Sequence, residues 1–296
     1  MIITLENGKE LRNDWVISAV LRSDLVPIPV SLEAEIRTDS SIEKYLQEGK
    51  TIQALNDTFR IIKIQPVVGN NTQGIHSMNA VKITAPLEQC HQVSFRRKNA
   101  VIKSDSTLHD IYSACGAKIK TVNADFKIPR FVCPKDDVPT FHIARAIQEE
   151  GGVVAWKKGS LKFYRLPDLF TQKAVMQLPD NGSENVESGF LTRHQVPNAI
   201  SVAKDGSIIT GEASKSRSFA YSPAKDVQKL NNMARCLVLR KISRLYYAPK
   251  LCAGDVIDIL GGKPLVILTV AHVFQSGTDS GAANQYSKLW LAGLEK

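Results

Sequence analysis

Residues 139–164, PTFHIARAIQEEGGVVAWKKGSLKFY, are the stretch of the sequence that decides the fold. The first half predicts a short amphipathic helix, because Ile143 and Ile147 recur at helical spacing with polar residues around them. A proline suits the first turn, the Asp136-Asp137 pair can cap the start, and Gly151 is a favourable stop.

After Gly151 the hydrophobic period changes to two, which is typical of strands. Val154 and Trp156 lie on one face, and Leu161 and Phe163 can meet them across a turn at residues 157–160. The stretch therefore predicts a helix packed on a β-hairpin. None of its residues makes a recognisable reaction centre, so its role is structural.

The first hundred residues read as β structure. From Val26 to Arg37, apolar residues alternate strictly with Pro, Ser, Glu and Arg, so one face of this strand is buried and the other is solvated. Because proline donates no hydrogen bond, Pro27 and Pro29 predict a sheet edge or a bulge at the start of the strand. Residues 1–5 and 15–21 are expected to pair as a hairpin around an Asn-Gly turn.

Further strands are predicted at Thr58–Gln65 and Ala80–Glu88, separated by a Gly- and Asn-rich loop at 68–77. Five or six strands with hairpin-length connections favour a small antiparallel barrel or sandwich. This region, residues 1–103, is the first predicted domain.

The composition changes at about residue 104. Leu108, Ile111, Tyr112 and Cys115 recur at helical spacing and Gly116 follows them, which predicts a second amphipathic helix. Residues 104–178 are therefore interpreted as an inserted α+β helix–hairpin segment.

Residues 179–296 form the third predicted unit, which begins with a polar loop or hinge at 179–189. An exposed loop is expected at 205–222, and a helix at 227–236. Closing strands are predicted at Leu237–Leu245, Val256–Leu260, Leu265–Phe274 and Ser287–Leu291. The predicted fold class is thus β-rich α+β, with two small antiparallel β-barrels and the inserted segment.

Composition is ordinary for a folded protein, with 43% hydrophobic and 23% charged residues in 296. The net charge of +9 favours an acidic partner surface or a phosphate backbone. The basic residues are scattered, and Arg96, Arg97 and Lys98 form the tight cluster; it is either a solvated strand end or a nucleic-acid contact. No signal peptide and no membrane segment is expected.

Candidate reaction centres are missing from the sequence. The histidines show neither HxH nor HExxH spacing, GxSxG and Walker-type loops are lacking, and adjacent carboxylates are better explained as caps or solvated groups. The five cysteines lack CxxC spacing, which favours buried free thiols over disulfides or zinc. We expect no catalytic residues, no metal and no cofactor.

Three stretches carry a resemblance to a known family. TLHDIYSACGAKI at 107–119, VPTFHIARAIQEEGGVVAWKKGSLKFY at 138–164 and LCAGDVIDILGGKPLVILTVAHVF at 251–274 resemble the phage late-control protein D family of tail or baseplate hub proteins. The hub part of type VI secretion spike proteins is related to it. The family's fold implies two related β-barrels with an α+β segment beside them, in agreement with the order of segments above.

The resemblance implies a homotrimer in which six barrels form a pseudo-sixfold ring. Such a ring joins a hexameric tail tube to a trimeric spike or fibre and leaves a channel for genome ejection. The implied partners are a tail tube or distal tail protein, a spike or fibre protein on another polypeptide, a tape-measure protein and the DNA in the channel. The expected location is the virion tail, after synthesis and assembly in the host cytoplasm.

Edge strands and outward faces would become subunit contacts in a ring. The expected interface residues are Val26, Ile28, Val30, Leu32, Val266, Leu268 and Val270. Two alternatives remain open at this point: a basic nucleic-acid-binding protein of a phage or mobile element, using Arg96, Arg97 and Lys98, or a hydrolase with a perturbed acid or histidine in a pocket.

Overall fold

The computed structural model describes residues 1–67, 72–73, 76–77, 79–180, 184–185, 196–213, 217–277 and 283–295. The loop predicted at 68–77 and the polar stretch predicted at 179–189 lie mostly outside the described residues, and so does His194. Within the described residues, no helix combines the length and the apolar composition that crossing a bilayer requires.

The N-terminal region is built from strands and two short 3-10 turns, at Glu43–Tyr45 and His91–Ser94. Its strands are β1 (Ile3–Leu5), β2 (Val16–Asp24), β3 (Val30–Thr38), β4 (Thr51–Ala54), β5 (Asp57–Arg60), β6 (Lys63–Val67), β7 (Thr72–Gln73), β8 (His76–Ser77) and β9 (Asn79–Pro86).

The middle region mixes helices and strands. Its elements are β10 (Val101–Thr107), α1 (Leu108–Ala114), β11 (Val122–Asn123), β12 (Lys127–Cys133), α2 (Pro139–Glu149), β13 (Gly152–Lys157), β14 (Ser160–Arg165), α3 (Leu166–Leu169) and β15 (Met176–Pro179). Both predicted amphipathic helices and the predicted hairpin are confirmed.

The C-terminal region contains β16 (Glu184–Asn185), β17 (Asn198–Val202), β18 (Ile208–Thr210), β19 (Phe219–Tyr221), α4 (Val227–Ala234), β20 (Cys236–Tyr246), β21 (Val256–Leu260), β22 (Leu265–Gln275) and β23 (Asn284–Glu295). The expected loop at 205–222 is wrong in part, because β18 and β19 pair with the two sides of β17. The few apolar residues of this stretch are spaced as strands, and its Ser and Lys residues obscured that pattern.

The largest sheet among the described residues holds ten strands and joins the N- and C-terminal regions. Its order is β16-β20-β23-β22-β2-β3-β9-β6, with β21 also paired to β22, and β15 to β21. The junction is the antiparallel pairing of β2 with β22, where Leu21 lies opposite His272. The β-rich α+β class is confirmed, and the two β-rich regions share one sheet; the domain boundaries stay predictions.

The helix–hairpin stretch is bound to both β-rich regions. Trp156 on β13 donates from Nε1 to Asp57 Oδ1 over 2.9 Å, and Lys157 Nζ lies 2.6 Å from Asp255 Oδ1. In the hairpin, Val154 pairs with Phe163 and Trp156 with Leu161, as the two-residue period predicts. The buried core continues from this hairpin into β2, β3 and β9 on one side and into β21 and β22 on the other.

Two predictions about the N-terminal strands are wrong. β1 pairs with β4 instead of forming a hairpin with β2, although the turn at Gly8 exists, with a φ of 81°. The strand predicted from residue 26 begins at Val30 and lies between β2 and β9, so it is not an edge strand. Pro27 and Pro29 fall in the connection before it, where no ladder hydrogen bond is lost.

The start of α2 also differs in detail from the predicted cap. Val138 occupies the N-cap position, without a side-chain cap. Asp137 instead accepts hydrogen bonds from the Val138 backbone N–H at 2.7 Å and from His142 Nε2 at 2.8 Å. The His142 contact, with the Val138 bond next in importance, lowers the pKa of the Asp137 carboxyl.

Candidate assembly surface

Strand alternation gives the largest sheet a buried face and an open face. Leu21, Leu32 and His272 lie side by side across β2, β3 and β22, and all three are buried. The residues between them in each strand point the opposite way. We call that second surface the open face; its described members are Ser18, Val20, Arg22, Asp24, Ser31, Glu33, Glu35, Arg37, Lys63, Gln65, Lys82, Thr84, Ile242, Arg244, Tyr246, Thr269, Ala271, Val273, Gln275, Asn284, Tyr286, Lys288 and Trp290.

The middle of the open face is concave. A depression of about 540 Å³ lies over β2, β3 and β22, with Val20, Leu268 and Trp290 among its lining residues. At its side, Asp24 Oδ2 lies 2.7 Å from Arg22 Nε, and Asp24 Oδ1 accepts from Thr269 Oγ1 over 2.6 Å. The depression is therefore lined by apolar side chains together with hydroxyl groups and paired charges.

Beyond the depression, β20 and β23 carry aromatic rings covered by cations. The Arg244 guanidinium lies 3.8 Å from the centre of the Tyr286 ring, and Lys288 Nζ lies 5.1 Å from the centre of the Trp290 ring. Tyr246 is 95% exposed. Such stacking holds long basic side chains against the sheet while their charges remain in solvent.

Basic residues outnumber acidic ones on the open face. Within the described strands it carries six cations against three carboxylates: Arg22, Arg37, Lys63, Lys82, Arg244 and Lys288 against Asp24, Glu33 and Glu35. The apolar positions of each strand, from which the strands and the core were predicted, do not reveal this surface. The same alternation, applied to the polar positions, identifies it.

Most of the predicted interface residues lie in the core of the single chain. Val30, Leu32, Val266 and Val270 are at most 5% exposed, so their side chains cannot contact another subunit. Apolar residues at alternate positions pack first against their own chain, and this is the physical reason for the correction. Subunit contact through Val26, Ile28 and Leu268 stays a prediction: Val26 is 45% exposed, and the other two are half-buried.

Leu268 differs from its neighbours because β22 contains a β-bulge. The register of β22 against β23 shifts between Ile267 and Thr269, which turns Leu268 toward the depression of the open face. Strict alternation would have placed it with Val266 and Val270. A bulge of this kind cannot be recognised from the alternation of apolar residues in the sequence.

The three residues of the basic cluster do not form one surface. Arg96 and Lys98 are exposed, whereas Arg97 is half-buried. Its Nη1 atom lies 2.9 Å from where a Cβ on Gly116 would stand, so the side chain packs on the end of α1. Its backbone N–H and C=O bond Asp137 and Asp136. Arg97 is therefore engaged by its own chain, and nucleic-acid contact through Arg96, Arg97 and Lys98 stays a prediction.

A serine and a histidine come together inside the C-terminal half of the sheet. Ser287 Oγ donates to His272 Nδ1 over 2.8 Å, and His272 Nε2 donates to the Leu251 carbonyl over 3.1 Å. Ser287 is 0% and His272 2% exposed. Burial lowers the pKa of His272 despite the Leu251 carbonyl, so the imidazole is a neutral structural group without access to a substrate.

The cysteines are free and poorly suited to nucleophilic chemistry. Burial raises the pKa of Cys90 and of Cys115 to about 12, and that of Cys252 to about 11, so these thiols stay protonated at neutral pH. Across the part of the chain that the structure describes, no three His, Cys, Asp or Glu residues lie close enough to hold a metal ion.

No protein-family model matches the sequence, and no curated protein matches it either. Solved structures do match. The tail protein from Neisseria meningitidis MC58 superposes with a TM-score of 0.63 at 9% identity, over 99% of this chain and 96% of that one. The 43 kDa tail protein of prophage MuSo2 from Shewanella oneidensis superposes with a TM-score of 0.60 at 13% identity. That match covers 98% of this chain and 96% of the prophage protein.

A third match is a bacterial secretion protein. The E. coli c3393 protein, a component of the type VI secretion system with structural similarity to the T4 bacteriophage tail proteins gp27 and gp5, has a TM-score of 0.53 at 10% identity. The match covers 95% of this chain and 74% of that one. Along almost its whole length, the chain therefore has the fold of these phage tail proteins and of this type VI secretion component.

Proposed function

We propose that the chain is a structural protein of a phage tail, in which it forms the hub. Three copies make a pseudo-sixfold ring between a hexameric tail tube and a trimeric spike or fibre. The observation that carries this proposal is the match to two tail proteins over 98–99% of this chain and 96% of each of theirs. The similarity extends from end to end of the chain and is not confined to one domain.

The open face is the surface that we assign to the channel of this ring. In an antiparallel sheet, one face packs on the core and the other can meet solvent, which suits a channel wall. Its concave middle and its basic excess support the assignment, since DNA passing through the channel would meet cations and amphipathic rings.

The two ends of the sheet supply the contacts between neighbours in the ring. β6 stands at one end. At the other end, the outer edge of β20, opposite to β23, is paired within the described residues only at Lys241 and Ile242, by β16. A cyclic ring needs two different complementary surfaces on each chain, and a sheet with two distinct ends provides them.

The proposed partners follow from the same comparison. The similarity to a type VI secretion component that is itself similar to gp27 and gp5 supports a spike protein as one partner. A tail tube or distal tail protein, a tape-measure protein and the DNA in the channel complete the set. We propose a non-enzymatic role in the virion tail, because the Ser287–His272 pair is buried and burial keeps the Cys90 and Cys115 thiols protonated at neutral pH.

Light scattering of the purified protein tests the trimer. We expect a mass three times that of the 32.6 kDa chain, at physiological and at high salt, because backbone pairing between strand edges is little weakened by screening. A mass of one chain at every protein concentration and salt concentration would contradict the trimer.

A further inference from the structure

A cleft of about 410 Å³ lies between α2, β12 and the residues just before and within α4. It is lined on one side by Arg130 and Phe131, on another by Arg145, and on the third by Lys225 and Lys229. We call it the basic cleft. None of its lining residues belongs to the open face, and it plays no part in the assignment of the channel.

The charges of the basic cleft are unbalanced. Glu149, the carboxylate that lines it among the described residues, is already engaged by Lys225 at 2.6 Å and by Arg145 at 3.4 Å. The side chains of Arg130 and Lys229 have no ion-pair partner among the described residues. Two cations therefore face the cleft uncompensated, which favours an acidic occupant.

An acidic segment of matching character occurs elsewhere in the same chain. Residues 39–48 carry Asp39, Glu43 and Glu48 against a single lysine. Glu43 and Glu48 are exposed, and their carboxylates have no ion-pair partner among the described residues. The segment presents negative charge to solvent.

The acidic segment is held in one shape. Ile42 and Leu46 are buried at 0% and 3% exposure, which anchors the segment to the core. Asp39 Oδ1 accepts from Ser41 Oγ at 2.6 Å and from the Ser41 backbone N–H at 2.8 Å, which closes the turn. A preformed segment loses little conformational entropy on binding.

The topology places these two features toward opposite ends of the largest sheet. α4 leads directly into β20, near one end of the sheet order. The acidic segment follows β3 and ends beside β6 at the other end, where the Gly49 N–H donates to the Ile61 carbonyl at 2.8 Å. In a head-to-tail ring, opposite ends of neighbouring chains meet.

We propose that the basic cleft receives the acidic segment 39–48 of a neighbouring copy of this chain. This inference rests on the proposed ring and names one of its contacts. Arg130 and Lys229 of one copy meet Glu43 and Glu48 of the next, which gives the ring a fixed direction and excludes a two-fold, face-to-face dimer through this surface.

Charge reversal tests the contact in the full chain. We expect Arg130→Glu with Lys229→Glu, and separately Glu43→Lys with Glu48→Lys, each to weaken self-association at least about tenfold in sedimentation equilibrium at low salt. In the chain that carries all four changes, an acidic cleft meets a basic segment. The attraction between the two is thereby restored, so self-association should recover toward the wild-type level. Arg130, Glu43 and Glu48 are exposed and Lys229 is half-buried. None of the four has an ion-pair partner among the described residues, so folding should be retained.

The matched control reverses two exposed lysines outside the cleft, Lys250→Glu with Lys263→Glu, and should leave association unchanged. Unchanged association of both reversed pairs would overturn this contact, yet a persisting trimer would leave the proposed hub intact. Failure of the four-change chain to recover would also overturn it. If the wild-type protein stays monomeric, both the proposed contact and the proposal that the purified protein forms a trimer would be contradicted.

Discussion

The side chains of His272 and Ser287 form a hydrogen-bonded chain that fixes the protonation of the histidine. The Ala248 N–H donates to Ser287 Oγ at 2.9 Å, the serine hydroxyl donates to His272 Nδ1, and Nε2–H donates to Leu251. Every polar atom in this row of hydrogen bonds has a partner only while the imidazole is neutral. These hydrogen bonds join β22 and β23 to the segment between β20 and β21.

This arrangement predicts a pH dependence of stability. Because burial lowers the pKa of His272 in the folded state, the unfolded chain binds a proton more readily below about pH 6.5. The free energy of unfolding should therefore fall as the pH drops below that value, and should not change through this group at higher pH.

Urea unfolding at pH 7.5 and 5.5 measures the effect. His272→Gln should cost about 1–3 kcal/mol at pH 7.5 through lost hydrogen bonding, and should reduce the loss of stability on acidification. An equal loss on acidification in His272→Gln and wild type would contradict the prediction.

At the scale of elements, the helix–hairpin stretch was predictable because its determinants are local. The glycine stop at Gly151 has a φ of 68°, and the hairpin turn at Lys158 and Gly159 has φ values of 51° and 75°. The alternation of apolar residues fixes which side chains face each other. The residues of one strand do not specify which distant strand it pairs with. The sequence therefore predicted β2 as the partner of β1, whereas the partner is β4.

Gly152 makes a sharp test of how tightly the hairpin is packed. A Cβ at this position would lie 2.2 Å from a Phe163 ring atom and 2.6 Å from the Tyr164 carbonyl oxygen. Gly152→Ala should therefore destabilise the protein by about 1–3 kcal/mol, measured by the midpoint of thermal or urea unfolding.

Gly293→Ala in β23 provides the matched comparison, since its added Cβ would meet nothing closer than 3.6 Å. That change should be close to neutral. Equal stability of the two variants would mean that the hairpin is more loosely packed against Phe163 than the structure indicates.

For the whole molecule, the sequence allowed the class and the order of regions to be predicted, but not how the regions join. Leu21 pairs with His272 across almost the full length of the chain, and a local hydrophobic pattern cannot specify such a contact. For the same reason, interface residues chosen by apolar character, such as Leu32, turned out to be core. The open face and the basic cleft became visible only once distant strands and helices were placed together.

In the proposed hub, the open face lines the channel of a ring. Single-particle electron microscopy of the purified oligomer tests it most directly. We expect a ring with threefold symmetry in which Lys288 and Trp290 of every copy face the central channel. A reconstruction with these side chains on the outer surface, or an oligomer without a channel, would contradict it.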